Sequence, residues 1–176
     1  VKESAHARVN LIGEHTDYTG GYVMPTLLSF KNTIEITQNN SNEFIVYSQH
    51  FKEKKAFNDF KKSSNNEWVD YIKGCLHIFF DENNISSRYL NIFISSDIPL
   101  ERGISSSSAL CVATLKALNT FFETKIKDPE IAKLAKKVEF NYIGVSGGIM
   151  DQMVSSIGIH GKAFFMNCKN LEYELI

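Results

Sequence analysis

The sequence has few cysteines, no excess of charge of one sign and no long apolar run. Cys75, Cys111 and Cys168 are odd in number and widely spaced, which argues against a disulfide framework or a cysteine metal cluster and suits a reducing cytoplasm. A net charge of -1 provides no basic field, so nucleic acid is not an expected partner. No apolar run approaches the roughly 18 residues of a membrane span, and no signal-peptide core is visible. We therefore expect a cytoplasmic protein without membrane contact.

Repeats, low-complexity tracts and linkers rich in proline and glycine are also missing, so the 176 residues are expected to share one core. Alternating apolar residues predict strands at 8–12, 33–38, 44–48, 90–95 and 162–168, with a polar surface excursion at 52–66. In the first strand, Val9 and Leu11 are expected to face the core, opposite Arg8 and Asn10. Helical spacing predicts helices from Trp68, from the serines at 105–108 and from about Pro129. Strands and helices mix irregularly, which favours an α+β or split-βαβ arrangement.

The densest polarity lies in the stretch RVNLIGEHTDYTGGYVMP, from Arg8 to Pro25. After Gly13 the chain presents Glu14, His15 and Asp17 in close succession. Carboxylate acceptors beside an imidazole suit a polyhydroxylated ligand, because each buried hydroxyl of such a ligand needs a partner. A solvated turn rich in Asp, Thr and Gly explains the same stretch, and these residues alone leave both interpretations open.

A second stretch, PLERGISSSSAL from Pro99 to Leu110, places a glycine and small hydroxyl residues at a predicted helix start. Such a start lets the backbone approach a ligand closely and presents unpaired N–H groups at the positive end of the helix. It fits a phosphate cradle, to which the serines at 106–108 would add hydroxyl donors or a Mg²⁺ ligand. A serine N-cap on an amphipathic helix explains the pattern as simply.

Two carboxylates follow on later helices. Glu139 shares or borders the apolar face that contains Ala135 and Tyr142, where a carboxylate needs a partner such as a metal. Periodicity alone favours a glutamate at the edge of this face that reaches solvent. Asp151, in the segment GGIMDQM, lies at a predicted helix start, where it would cap the helix or act as a general base at the mouth of a site. The sequence does not rank these two roles.

Together these stretches resemble the galactokinase family of the GHMP small-molecule kinases. The stretch from Arg8 to Pro25 resembles the galactokinase signature, that from Pro99 to Leu110 the phosphate-binding motif of the superfamily, and GGIMDQMVSS the segment of the catalytic aspartate. WVDYIKG, from Trp68, resembles a helix start between them.

The resemblance implies an α+β fold of the two-layer ribosomal protein S5 domain 2-like type, with a mixed sheet packed against helices. It also implies that residues 1–176 are a single N-terminal GHMP kinase domain, that the C-terminal domain of the full-length protein is absent, and that the protein is a cytoplasmic monomer.

The activity implied by the resemblance is transfer of the γ-phosphoryl group of ATP to the C1 hydroxyl of galactose, with ATP and Mg²⁺ as cofactors. Asp151 would act as the base, and Arg8 would keep that carboxylate ionised and stabilise charge on the phosphoryl group. The implied sugar ligands are Glu14, His15, Thr16, Asp17 and Gly148. The implied nucleotide contacts are Glu101, Arg102, Gly103, Ile104, Ser105, Ser106, Ser107 and Trp68, and the implied metal ligands are Ser107 and Glu139.

The sequence departs from the family pattern at two places, and these departures bear on the expected function. His6-Ala7 replaces the usual Pro-Gly, and Glu101 replaces a glycine. A glutamate aimed into a triphosphate site would repel the nucleotide by about 1 to 4 kcal/mol per charge pair. Two alternatives therefore stay open, a sensor of sugar and nucleotide that has lost catalysis, and a kinase for a related sugar such as N-acetylgalactosamine. We expect the 176 residues alone to show little or no turnover.

Overall fold

A computed structural model describes residues 1–99 and 106–176. In chain order the elements are β1 (Lys2–Asn10), β2 (Tyr22–Val23), β3 (Pro25–Gln38), β4 (Phe44–Ser48), β5 (Glu53–Phe57), α1 (Trp68–Asn83), β6 (Leu90–Ser96), α2 (Ser106–Phe122), α3 (Asp128–Lys137), a π-helical turn (Val138–Ile143), α4 (Met150–Ile157), β7 (Phe164–Asn167) and β8 (Tyr173–Leu175). The main sheet has the order β1-β3-β6-β4-β5, and a small second sheet has the order β2-β7-β8. All pairs are antiparallel except β4 with β6.

The main sheet and the helices form two layers around one large core. In β3, Ile34 and Ile36 are fully buried against the helices, whereas Glu35 between them faces away, as strand alternation requires. Helix α2 crosses β1 and β3, and α1 packs beside it. The opposite face of the sheet carries partly exposed side chains such as Tyr47 and Phe93, which stack on each other. The expected α+β arrangement, a mixed sheet packed against helices, is confirmed.

The first strand does not have the predicted inner face. Val9 and Leu11 are 37% and 52% exposed, and the buried residues of β1 are Ala5 and Ala7. Ala7 packs against Ile98 and Ala109, where a larger side chain would hold α2 away from the strand. The pairing of β1 with β3 also shifts register between His6 and Arg8. The prediction for Val9 and Leu11 is therefore wrong, because the alternation of the larger residues does not identify the core face here.

The other predicted elements agree with the structure in most places. The helices beginning near Trp68 and Pro129 are confirmed, and within the described residues α2 begins at Ser106. The predicted polar excursion at 52–66 is wrong in part, since β5 occupies Glu53–Phe57 and pairs with β4 as an edge strand. Across residues 1–99 and 106–176, no helix has the length and apolar character needed to cross a membrane.

The short helix α4 is placed by its own small core. Met150, Met153 and Val154 pack with Phe164 and Met166 of β7. Ser155 of α4 donates a hydrogen bond to the carbonyl oxygen of His6 across 2.8 Å, which ties the helix to β1. The first turn of α4 therefore lies beside the end of β1 and the polar turn that follows it.

Candidate active site

An ion pair joins the end of β1 to the first turn of α4. Arg8 Nε donates to Asp151 Oδ1 across 2.6 Å, and the two side chains are only 16% and 25% exposed. The two residues are 143 positions apart in the chain. A partly buried guanidinium and carboxylate at this distance form a charge-assisted hydrogen bond, which fixes both groups in orientation.

Asp17, from the polar turn, supports the start of α4. Its Oδ1 accepts hydrogen bonds from the backbone N–H groups of Ile149 and Met150, at 3.1 and 3.2 Å. Burial raises the pKa of Asp17, the carboxylate of Asp151 raises it further, and the N–H groups of Met150 and Ile149 oppose both effects. The helix-capping role that the sequence allowed for Asp151 thus belongs to Asp17, and Asp151 is paired with Arg8.

Gly148 provides the space that Asp17 occupies. A Cβ atom at position 148 would lie 1.9 to 2.1 Å from the three carboxyl atoms of Asp17, which no side chain permits. The loop before α4 and the polar turn can therefore meet only with glycine here. This close approach explains the glycine at position 148, whereas a side chain at position 147 would meet only Lys136 Nζ at 4.0 Å.

The polar turn is held by its own hydrogen bonds. Thr16 Oγ1 donates to the carbonyl oxygens of Gly13 and Tyr22, at 2.8 and 2.7 Å. Gly13 has a φ of 105°, which favours glycine, and His15 contacts the Tyr18 hydroxyl through Nδ1 across 2.9 Å. The structure does not bring Thr16 to the cavity described next, because its hydroxyl is engaged inside the turn. Binding of the ligand by Thr16 therefore stays a prediction.

These elements enclose a cavity of about 530 Å³, a size typical of small-molecule sites. Its polar lining includes Arg8, Asn10, Glu14, His15, Asp17, Ser107, Ser108, Lys136, Glu139, Gly148, Asp151 and Gln152. The structure thus brings together predicted residues from three distant stretches of the chain. Carboxylates, one imidazole and two kinds of cation around one cavity suit a small ligand with several hydroxyls and a phosphate group.

Glu139 is a buried residue of the cavity lining. It is 5% exposed, so the expectation of a solvent-reaching glutamate is wrong. The π-helical turn Val138–Ile143 departs from the 3.6-residue period on which that expectation relied. Ser107 and Ser108 donate from their hydroxyls to Oε1 and Oε2, each at 2.8 Å, and the side-chain amide of Gln152 also donates to Oε2.

The oxygens around Glu139 are of the type that Mg²⁺ prefers. Hydroxyl and carboxylate oxygens are hard ligands, and Mg²⁺ is commonly held by one or two carboxylates together with phosphates and water. Gln152 Oε1 is a further oxygen, buried and without a partner among the described residues. Within those residues no group of three His, Cys, Asp or Glu side chains converges as a metal site. Ser107 and Glu139 therefore fit a metal that arrives with a phosphate, and not a metal held by protein alone.

A second cavity, of about 240 Å³, adjoins the first. It is lined by Trp68, Tyr71, Phe51, Ser106 and Ser107 among others, and Ser107 lines both cavities. Trp68 stacks on Phe51 with centroids 5.8 Å apart and donates from Nε1 to Glu53. The Trp68 ring is therefore part of a cavity wall and not only of the core. The predicted nucleotide contacts Glu101, Arg102, Gly103, Ile104 and Ser105 lie outside the described residues.

Gln152 and Lys136 are among the cavity residues that were not identified from the sequence. Gln152 links the hydroxyl of Ser108 to the carboxylate of Glu139. Lys136 donates from Nζ to the carbonyl oxygen of Gly147 across 2.5 Å, and so anchors the loop before α4. The sequence offered only weak signals for these two residues. Gln152 directly follows Asp151, and Lys136 lies one helical turn before Glu139.

Comparison with known proteins agrees with this geometry. Residues 70–158 match the family model described as the GHMP kinases N terminal domain. The chain belongs to the GHMP kinase family. Residues 3–37 of this GHMP kinase also match the galactokinase galactose-binding signature, which confirms the resemblance inferred from the motifs.

Relatives of this GHMP kinase chain include galactokinases of two other organisms. It is 35% identical to the galactokinase of Thermotoga petrophila over 176 residues, which are 100% of this chain and 49% of the relative. It is 38% identical to that of Pyrococcus furiosus over 169 residues, or 96% of this chain and 47% of the relative. The chain therefore spans about half the length of the curated relatives it matches.

Solved structures give the same picture. A Lactococcus lactis galactokinase complexed with galactose aligns with a TM-score of 0.93 and 30% identity, over 99% of this chain and 47% of that one. A Methanococcus jannaschii mevalonate kinase aligns with a TM-score of 0.86 and 25% identity, over 100% of this chain and 55% of that one. These neighbours confirm the ribosomal protein S5 domain 2-like fold.

Proposed function

We propose that this chain is the N-terminal domain of a galactokinase, which transfers the γ-phosphoryl group of ATP to the C1 hydroxyl of galactose. The observation that carries the proposal is the Arg8–Asp151 ion pair in a cavity also lined by Glu14, His15 and Asp17. A paired carboxylate beside several hydroxyl-binding groups provides a base next to a sugar site.

Asp151 is the proposed base. It is one-quarter exposed on the cavity side, so a sugar hydroxyl reaches its carboxylate without a change in fold. The charge-assisted hydrogen bond from Arg8 holds the Asp151 carboxylate in a fixed orientation beside the cavity. The Arg8 guanidinium lines the same cavity, and its positive charge is suited to the negative charge that develops on the transferred phosphoryl group.

Glu14, His15 and Asp17 are the proposed ligands of the other sugar hydroxyls. Asp17 uses Oδ1 for two backbone N–H groups, and its carboxylate has further acceptor capacity for the sugar. Gly148 lines the same cavity, and because it has no side chain it leaves room for the Asp17 carboxyl group. Positioning of this kind supplies much of the rate enhancement in phosphoryl transfer.

The nucleotide would extend from the second cavity to the first. Trp68 and Tyr71 line the less polar cavity, which suits an adenine ring, and Ser107, shared by both cavities, lies in the first turn of α2. The N-terminus of a helix favours phosphate through its unpaired N–H groups and its dipole. Ser107 and Glu139 would hold Mg²⁺, which when bound neutralises charge on the phosphate oxygens.

The His6-Ala7 departure lies away from this cavity. The His6 ring contacts His160 at 3.1 Å, and Ala7 is buried against Ile98 and Ala109. Neither residue lines the cavity of Arg8 and Asp151. Within residues 1–99 and 106–176, nothing favours a sensor over an enzyme; Glu101, the other departure, lies outside these ranges.

The test is an assay of the full-length protein with ATP and a panel of sugars that includes galactose, glucose and N-acetylgalactosamine. We expect ADP release with galactose and formation of galactose 1-phosphate. Binding of galactose without ADP release would support the sensor, and preference for N-acetylgalactosamine would support the related kinase. The 176 residues alone are expected to give little or no turnover; a rate near that of the full protein would contradict the assignment as a single domain of a larger enzyme.

A further inference from the structure

The first turn of α4 brings two adjacent side chains to different parts of the main cavity. Asp151 pairs with Arg8 of β1. Gln152 contacts Glu139 of the π-helical turn and Ser108 of α2. All five residues line the cavity of about 530 Å³. Gln152 is only 4% exposed, so its amide is a buried polar group whose contacts have to account for its presence.

The nitrogen of this amide contacts the Glu139 carboxylate. Gln152 Nε2 donates to Oε2 of Glu139 and to the Ser108 hydroxyl oxygen, the latter across 3.3 Å. A carboxylate only accepts hydrogen bonds, so the NH₂ group of the glutamine, and not its carbonyl oxygen, has to face it. Ser108 donates to the same Oε2, and Ser107 donates to Oε1, each across 2.8 Å. Oε2 is therefore held by donors from α2 and α4.

We propose that Gln152 is a positioning residue for the magnesium nucleotide. Its amide N–H group holds Oε2 of Glu139, and so keeps Oε1 of that carboxylate together with the Ser107 hydroxyl as a pair of metal ligands. The inference rests on the proposed function, because it takes Ser107 and Glu139 as the ligands of Mg²⁺. Gln152 acts through Glu139.

The other end of the amide shows that folding alone does not explain a glutamine here. Gln152 Oε1 is buried and has no hydrogen-bond partner among the residues that the structure describes. A buried acceptor without a donor lowers the stability of a protein, whereas an apolar side chain of the same shape would avoid that cost. Departures of this kind are expected at functional sites. The glutamine is therefore better explained by what its N–H group does for Glu139.

Two donors on Oε2 restrain the Glu139 carboxylate more than one donor would. The last torsion of a glutamate side chain has broad minima, so a carboxylate held by a single hydrogen bond can still rotate. Ser108 on α2 and Gln152 on α4 approach from two different helices and limit this rotation. Partners that hold a metal ligand in place typically contribute about 10- to 100-fold to metal affinity or activity.

The experiment measures nucleotide binding to variants of the full-length protein. Gln152→Met removes both polar ends of the amide and keeps the length of the side chain, and Gln152→Ala is a second variant that needs no additional space. Ser156→Ala is the matched control. Ser156 is also buried on α4, donates to the carbonyl oxygen of Asp128 across 2.7 Å, and does not line the cavity.

The probe is the β,γ-imido analogue of ATP, titrated calorimetrically once with Mg²⁺ and once with a chelator. We expect both Gln152 variants to bind the magnesium complex about 10- to 100-fold more weakly than wild type. Binding of the metal-free analogue should change little, and Ser156→Ala should bind both forms as wild type does. Equal weakening with and without metal would overturn the inference, because a general structural defect does not depend on Mg²⁺.

A double-mutant comparison tests whether Gln152 acts through Glu139. In a Glu139→Gln background, Gln152→Met should weaken binding of the magnesium complex little further, since the carboxylate that it positions is no longer there. Full additivity of the two substitutions would overturn the inference. The melting temperature of each variant without ligand, measured first, identifies those that are folded, and Gln152→Ala replaces Gln152→Met if methionine prevents folding.

Binding is measured without sugar, so the inference and the proposed function can fail separately. Wild-type affinity of the Gln152 variants for the magnesium complex, in a protein that phosphorylates galactose, would reject the role of Gln152 and leave the proposed function standing. Weakened binding in the variants of a protein that phosphorylates no sugar would uphold the coupling of Gln152 to Glu139 and reject the proposed function.

Discussion

Arg8 Nε and Asp151 Oδ1 lie 2.6 Å apart, although 143 positions separate the two residues in the chain. This contact joins the last part of β1 to the first turn of α4, and residues of the polar turn that follows β1 line the same cavity. Both side chains are mostly buried. The pair therefore differs from an exposed surface ion pair, which typically contributes little to stability. The predictions below test what this contact and its neighbours do.

Arg8→Met should abolish most of the activity of the full-length protein. The substitution removes the partner of Asp151 and the cation that we propose stabilises the phosphoryl group, so we expect kcat to fall by about 10²- to 10³-fold. KM for galactose should change much less. Lys2→Met is the matched control, because Lys2 lies on the same strand and pairs with Glu35 at the surface. Steady-state kinetics measures the effect, and a kcat within threefold of wild type would show that Arg8 has no part in the chemistry.

Gly148→Ala and Gly147→Ala should differ strongly although the positions are adjacent. A Cβ at 148 would lie 1.9 to 2.1 Å from Asp17, whereas at 147 the nearest atom is Lys136 Nζ at 4.0 Å. We expect the first variant to displace Asp17 and to weaken galactose binding at least tenfold, and the second to bind almost normally. Isothermal titration with galactose measures both. Equal affinities would mean that Asp17 is not a sugar ligand.

Glu139→Gln should change the response to Mg²⁺. The amide keeps the shape but lacks the charge, so the metal would be held more weakly and a higher Mg²⁺ concentration would be needed for half-maximal rate. Glu130→Gln, at an exposed position on α3 paired with Lys133, is the control. Activity measured across a Mg²⁺ titration, after removal of metal by a chelator, gives the comparison. An identical Mg²⁺ dependence in Glu139→Gln and wild type contradicts the assigned metal ligand.

His6 should make the stability of the domain depend on pH. Burial lowers its pKa, with contributions from the neighbouring His160 and from Lys31, so the folded protein takes up this proton less readily than the unfolded chain. Stability from this group is therefore complete above the ordinary pKa of 6.5 and decreases as pH falls from there through the lower folded-state value. His6→Gln should flatten the curve of Tm against pH below 6.5. Parallel curves for His6→Gln and wild type would exclude this linkage.

The helices of this domain could be predicted from sequence because their apolar faces follow a regular period. Ile72, Leu76 and Phe79 are all fully buried on α1, as the spacing indicated. The same reasoning failed at Val9, where the core face of β1 consists of alanines and the pairing shifts register. Small residues carry almost no periodic signal even where they decide how closely two layers approach.

The site was only partly accessible to sequence reasoning. The motifs identified Arg8 and Asp151 through resemblance, but no local pattern indicated that Asp17 supports the start of α4 from 132 positions away. Burial of Glu139 depends on a π-helical turn, which a search for 3.6-residue periodicity does not detect. Long-range contacts and local departures from ideal helices are the features that required the structure.

Asp151→Asn in the full-length protein tests the central claim most directly, with the rate of phosphoryl transfer to galactose and the Kd for galactose measured on the same sample. The amide keeps the size of the side chain but accepts a proton far less readily. The proposed role predicts that kcat falls by about 10²- to 10⁴-fold while galactose still binds with a Kd within a fewfold of wild type. A variant that binds galactose and transfers phosphate at the wild-type rate would contradict the assignment of Asp151 as the base.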